Sequence, residues 1–362
     1  MNPKKPFYSL FVLCLLLSQW ALADPDANAL IERRKTVVKL YDVSQKDNLL
    51  IDNQFGNVKI NLWDRNEIRV DISITANGAT DERVQRYLDA VEITERRNGD
   101  QISLKTVIEK GTFNGNVNWK GTGGTWSNNE REKNGLQIDY QVSMPKNNAL
   151  TVRNQFGNTT IPTFTSALSV NNKFGSFYAT DLKGSKIDID VAFGTAEIGE
   201  VDNAKLDISY SKLTLEKANV LTLNNKYGKM QIGEVNRLDA NIGYSGAQIG
   251  TLKESCKVKL DFSGGFKIQQ LPKSAENVDI QAAYSSVVLP VNDDGQCQFD
   301  VTVQHGGFRY PTDNRRVVLT TQPSDDHTSG PRFTKQYSGK VGGSGPGPRI
   351  RVVSKFGDVS FR

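Results

Sequence analysis

Asn53-Gln54-Phe55-Gly56-Asn57 recurs, residue for residue, as Asn154-Gln155-Phe156-Gly157-Asn158, and the rest of the chain reads outward from that repetition. Near-copies are Asn172-Lys173-Phe174-Gly175, Asn225-Lys226-Tyr227-Gly228 and Ser354-Lys355-Phe356-Gly357. With the aromatic as anchor, the series is Phe55, Phe156, Phe174, Phe193, Tyr210, Tyr227, Tyr244, Phe262, Tyr284, His305 and Phe356. From Phe156 to His305 the anchors lie 17 to 22 residues apart. Self-similarity at such a period is the signature of a repeat architecture. The residue after each anchor is glycine (Gly56, Gly157, Gly175, Gly194, Gly228, Gly306, Gly357) or serine (Ser211, Ser245, Ser263, Ser285), which marks a turn wanting positive φ or no Cβ.

Around the anchors the apolar pattern has period two. Leu221, Leu223, Asn225 and Tyr227 alternate with polar residues, and Met230, Ile232 and Val235 follow the turn. Each unit therefore reads as a short strand, a tight turn and a second short strand, with the aromatic anchors on the buried face. A unit this small cannot bury its apolar face alone, so the units must stack, with like residues in columns. The expected fold is all-β: a β-solenoid of strand–turn–strand rungs of about 17–22 residues, with a β-rich N-terminal capping region that holds one short helix. Asn53, Asn154, Asn172 and Asn225 would form an inward amide ladder. Short strands at regular spacing also suit a sandwich or barrel. Repetition of residue identity as well as polarity favours the solenoid.

Residues 1–23 read as a secretory signal. Lys4 and Lys5 precede an apolar run from Phe7 to Leu17, and Ala21-Leu22-Ala23 supplies a cleavage site. Cys14 lies inside the apolar run, too early for a lipid-modified cysteine. Residues 24–149 hold the first rung and a head region, with a helix expected over Asp81–Ile93, capped by Thr80. Within the head, 111–135 is a Gly/Asn-rich stretch carrying Phe113, Trp119 and Trp126. Residues 150–310 are the main repeats, 311–349 a flexible Gly/Pro-rich excursion and 350–362 a closing rung. Nothing after residue 24 approaches the ~18 consecutive apolar residues of a transmembrane helix. The expected location is the periplasm or surface of a bacterium.

Loss of Lys4 and Lys5 would lower the formal net charge from +5 to +3, too dispersed to argue for nucleic acid. The two histidines are His305, at an anchor position, and His327. No zinc spacing, nucleophile elbow, phosphate loop or dinucleotide fingerprint occurs, so no cofactor is expected and the chain does not read as an enzyme. Asp188, Asp190 and Asp207 face outward on adjacent rungs; they could hold calcium, act as an acid–base pair in a polysaccharide-acting enzyme, or form an ion-pair ladder with Lys205. Cys256 and Cys297, two rungs apart, read as separate thiols rather than a disulfide. Trp119, Trp126 and Phe113 are the candidate ligand-binding residues; they could equally fold back over the first rungs. The anchor pairs Phe55-Gly56, Phe156-Gly157, Phe174-Gly175, Phe193-Gly194, Tyr227-Gly228 and Phe356-Gly357 are structural turns.

The Asn-Gln-Phe-Gly, Asn-Lys-Phe-Gly and Ser-Lys-Phe-Gly rungs, behind a signal segment and ending in a short strand, resemble the bacterial putative-adhesin family of exported β-strand-repeat proteins. The likeness spans about residues 36–362. It implies a β-solenoid acting as a non-catalytic adhesion or scaffold protein of the cell envelope, with a protein or glycan partner. It carries no catalytic residues. The edges of the stack leave self-association open.

Overall fold

A computed structural model of the protein describes residues 30–109, 135–290, 296–312, 317–323, 333–342 and 347–362. The expected signal segment 1–23, the residues Phe113, Trp119 and Trp126, and His327 lie outside the described residues. The described chain is all-β apart from one short helix, and its 25 strands join in one large, mostly parallel sheet.

The unit anchored on Tyr227 shows how sequence becomes structure. Strand Lys212–Lys226 runs into the anchor, the chain turns through Tyr227-Gly228, and strand Lys229–Gly243 leaves it. Leu221, Leu223, Asn225, Met230, Ile232 and Val235 are buried. Units pair in parallel with equivalent residues in register, so Val152, Val170, Ile189, Leu206, Leu223 and Ala240 form one continuous inward column. Side chains before and after the turns join a single core. Full burial of such a side chain contributes roughly 1.5–3 kcal/mol, and it is the stacking of units that supplies the burial.

The head region closes one end. The Phe55 unit pairs in parallel with Gln101–Ile108 before its anchor and with Gly135–Pro145 after it. Antiparallel strands then take over: Val91–Asn98 on the first, and Glu67–Gly78 followed by Ile31–Asp42 on the second. The helix is Asp81–Asp89, shorter than the sequence suggests. Thr80 caps it by accepting the Arg83 N–H at 3.3 Å, and Val84, Tyr87 and Leu88 are buried. Val91, expected in the helix, instead begins a strand; the β-branched residues Val91, Ile93 and Thr94 favour extended pairing.

The other end is threaded out of sequence order. The strand Arg349–Lys355 lies between Asn277–Ala283 and Cys297–Gln304, so the Phe356 unit sits inside the stack, between those of Tyr284 and His305. Residues 350–362 therefore do not close the sheet. Val352 stands in register with Ile280 on one side and Val301 on the other, burying aliphatic residues against both neighbours. What covers the end comes from the stretch expected to be a flexible excursion. Residues 311–349 contain the strands Val317–Thr321 and Thr334–Val341, paired antiparallel, and the second also pairs antiparallel with Cys297–Gln304. An antiparallel partner ends a parallel stack because its far side continues no repeat.

The amide column is only partly a ladder. The Nδ2 of Asn53 donates to Asn154 Oδ1 at 3.3 Å, and Thr159, bridging, donates to Asn172 Oδ1 at 2.7 Å. Asn225 stands apart, because its neighbours in the column are Ile208 and Ile242.

Candidate functional site

The anchors form a continuous surface column along the described residues. All eleven have φ between 48° and 66°, and among the described residues they are the only non-glycine residues with positive φ. The left-handed conformation therefore falls on the aromatic and not on the glycine that follows. The glycine answers a different demand. A Cβ on Gly157 would lie 1.8 Å from the carbonyl oxygen of Gly56, and one on Gly175 would lie 2.0 Å from that of Gly157. Backbones of successive turns approach too closely for any side chain there. Serine units replace that approach with a hydroxyl bridge: Ser211 Oγ accepts the Gly194 N–H at 3.0 Å and donates to the Ser209 carbonyl at 2.7 Å.

Positive φ also turns the anchor side chain outward. The aromatics were expected on the buried face; instead Phe174, Phe193, Tyr210, Tyr227, Tyr244, Phe262, Tyr284 and Phe356 are 43–53% exposed. Their rings stack from unit to unit. Centroids are 4.6–5.2 Å apart and planes within 12° of parallel from Phe55 through Phe356. His305 extends the column, stacked on Phe356 at 4.8 Å and 2°, and Phe333 covers its other face. The rings run about 50 Å at one strand spacing per step. Inside the column both faces of every ring are occupied by neighbouring rings, so what solvent meets is a strip of ring edges and tyrosine hydroxyls.

On one side of this strip lies a surface groove of about 500 Å³, lined by Lys212, Lys229, Gln231, Gly246, Gln248 and Lys267 among others. On the other side a groove of about 430 Å³ includes Lys259, Arg351 and Lys355.

The carboxylates singled out from sequence are brought together in part. Asp190 and Asp207 stand in register on adjacent units, while Asp188 is opposite Lys205. Asn171 donates to Asp190 at 3.1 Å. Partial burial, then the neighbouring Asp207, push the Asp190 carboxyl upward, against the pull of Lys173. Among the described residues no cluster of three or more His, Cys, Asp or Glu side chains is arranged to hold a metal ion.

Cys256 and Cys297 are free thiols on units three steps apart, not two, because the Phe356 unit is inserted between them. Burial pushes the Cys256 thiol up to about 12 and the Cys297 thiol up to about 11. Among the described residues no helix is long and apolar enough to cross a membrane.

The outward strip was missed from the sequence, although the signal exists. Asn225 and Met230 both face inward but are an odd number of residues apart, so the alternation changes phase between them. Counted back from Met230, Tyr227 points outward.

No known family model matches the chain, and no curated protein matches it in sequence. Among solved structures, it is similar to a putative cell adhesion protein from Clostridium sporogenes ATCC 15579, at 11% identity and a TM-score of 0.18, over 91% of this chain and 99% of that one. A putative adhesin from Bacteroides fragilis NCTC 9343 aligns at 9% identity and a TM-score of 0.34, over 91% and 97% of the two chains. A putative lipid binding protein from Parabacteroides distasonis ATCC 8503 aligns at 11% identity and a TM-score of 0.34, over 90% and 96%. Likenesses this weak bear on neither the activity nor the partners of this chain.

Proposed function

We propose that the protein is an exported, non-catalytic β-solenoid of the cell envelope that binds its partner, a glycan or an envelope protein, along the aromatic strip. The observation that carries this reading is the column itself: stacked rings about half exposed over about 50 Å, on a backbone held by one core. Such a strip offers many weak contacts at fixed spacing, which multiply into useful affinity for an extended partner. It is also rigid, because each ring from Phe156 to Phe356 is held between two others.

Binding to an array of glycans, cell-wall fragments and envelope proteins tests the proposal, with Tyr227→Gly/Tyr244→Gly beside the native protein. Glycine accepts positive φ without cost, so this variant removes ring edges while leaving the turns intact. Binding should fall in the variant. Binding that the variant leaves unchanged would overturn the strip reading. The rival reading, a polysaccharide-acting enzyme, draws on the Asp190–Asp207 register; it predicts turnover of a polysaccharide that Asp190→Asn abolishes without loss of fold.

A further inference from the structure

We infer that the groove beside Tyr227, Tyr244 and Phe262 is a binding site for an acidic polysaccharide, a chain bearing carboxylate or sulfate groups. The inference rests on the binding-strip reading and names a ligand class for it. Lys212 and Lys229 occupy the same outward position on consecutive units, and Lys267 rises from the neighbouring column, two units beyond Gln231. All three lysines are exposed, and the groove lining contains no aspartate or glutamate.

Their lack of ion-pair partners contrasts with the charged residues farther along the sheet from the turns. Toward the far corner Lys217 pairs with Glu200 at 3.3 Å, Lys253 with Glu234 at 2.6 Å and Arg237 with Glu254 at 3.1 Å. At the groove, none of the three ammonium groups has an ion-pair partner among the described residues. Like charges directly opposite on paired strands repel, so the free protein bears a cost there that an anion would relieve.

The floor of the groove is bare for no packing reason. In the turn column glycine is compelled by backbone contacts, as at Gly157. A Cβ on Gly246 or Gly264 would meet nothing within 4 Å, and neither has a positive φ. The missing side chains leave a gap in the lysine column just beyond Lys229, with the Tyr244 and Phe262 rings on one side and Gln248 and Lys267 on the other.

The shape and chemistry favour a glycan over other polyanions. Ring faces are sealed within the column, so bases of a single-stranded nucleic acid find nothing to stack on. A gap sunk beside a ridge of rings and flanked by lysines admits a thin chain but not a planar membrane. Gln231 and Gln248 present amides that both donate and accept, as sugar hydroxyls require.

The test is titration of the purified protein with polygalacturonate oligomers at low and moderate salt. Two double variants accompany it, Lys212→Gln/Lys229→Gln in the groove and Lys205→Gln/Lys257→Gln on the outward face preceding the turns. The native protein should bind, and more weakly as salt rises. The groove variant should lose about tenfold in affinity, the sum expected for two exposed ion pairs, while the other stays within about twofold. Absence of binding, or equal loss in both variants, would overturn the inference. So would oligo-dT of matched charge binding as tightly with the same dependence on Lys212 and Lys229, since the site would then read polyanions by charge alone. Loss of ring-dependent binding to neutral glycans or proteins is a separate result, from the Tyr227→Gly/Tyr244→Gly variant. A protein that ignores polygalacturonate yet keeps that binding refutes the ligand class and leaves the strip reading standing.

Discussion

Replacing Asn225 with valine should make the protein more stable. Asn225 is fully buried, and neither its Nδ2 nor its Oδ1 has a hydrogen-bond partner among the described residues. The residues above and below it in the column are Ile208 and Ile242, which can offer it nothing. An unpaired buried polar group costs roughly 1–3 kcal/mol, and this amide holds two of them. Valine removes both, suits a strand, and changes the shape little; imperfect repacking should cost below about 1.5 kcal/mol. The net expectation is a gain of about 2 kcal/mol.

Urea unfolding at equilibrium measures it. For a slope of about 3 kcal/mol/M or more, the midpoint should rise by about 0.5 M with the slope unchanged. Asn53→Val is the matching control, because Asn53 holds the same position in the unit nearest the head region. Its Oδ1 accepts the Thr106 hydroxyl at 3.0 Å and its Nδ2 donates to the Ile138 carbonyl at 3.0 Å. Valine there takes away one partner of the Thr106 hydroxyl, leaving it Tyr140, and the side-chain donor to the Ile138 carbonyl, and should cost about 1–3 kcal/mol. The two substitutions are chemically identical and should differ in sign. An Asn225→Val midpoint at or below that of the native protein would refute the reasoning.

Three further outcomes follow from the same structure. Gly157→Ala should destabilise by about 3 kcal/mol or more, because its Cβ would meet backbone at 1.8 Å, whereas Gly246→Ala should shift stability by no more than about 0.5 kcal/mol; similar urea midpoints for the two would contradict the close-approach argument. Asp47 is held below the usual carboxylate range chiefly by the Ser44 N–H, at 2.7 Å, with the Ser44 hydroxyl and Arg97 contributing further. A lowered pKa means stabilisation present above the unfolded value of about 3.9 and lost as pH falls through the folded one. Asp47→Asn should therefore be less stable than the native protein at pH 7, with the gap closing below about pH 4; a gap constant in pH would count against it. Deleting residues 349–362 removes the strand between Asn277–Ala283 and Cys297–Gln304, so hydrogen exchange should quicken in those two strands while the Phe156 to Tyr227 units stay protected. Uniform protection after the deletion would show that the inserted strand is dispensable.

Much of the unit was legible in the sequence because its determinants are local. Alternation placed Leu221, Leu223 and Asn225 inward, and Asp190 and Asp207 fell into register because both lie three residues before an anchor. Two features were not legible, for different reasons. The outward aromatics depend on one φ angle, and alternation assumes that no residue in the strand leaves the extended region. The insertion of the Phe356 unit is a matter of order among units that share one pattern, so Ile350 and Val352 would fit any inward column equally well. Only the intervening hairpin, which covers the His305 unit, excludes the simpler order.

The aromatic column is better understood as a surface than as a source of stability. A non-glycine residue in the left-handed region costs on the order of 1 kcal/mol, and eleven anchors each bear that cost. A stacked aromatic pair returns roughly 0.5–1.5 kcal/mol beyond its burial, so the gain from ten stacked steps is of the same size as the cost. Glycine or asparagine would hold the same turns with less strain. Removing two of the rings forfeits their partial burial but leaves the core beneath the turns intact, so it tests binding without unfolding the protein. What they add that glycine could not is an exposed apolar edge every strand spacing, beside a groove whose lysines have no ion-pair partner among the described residues, and the proposed extended ligand would use both.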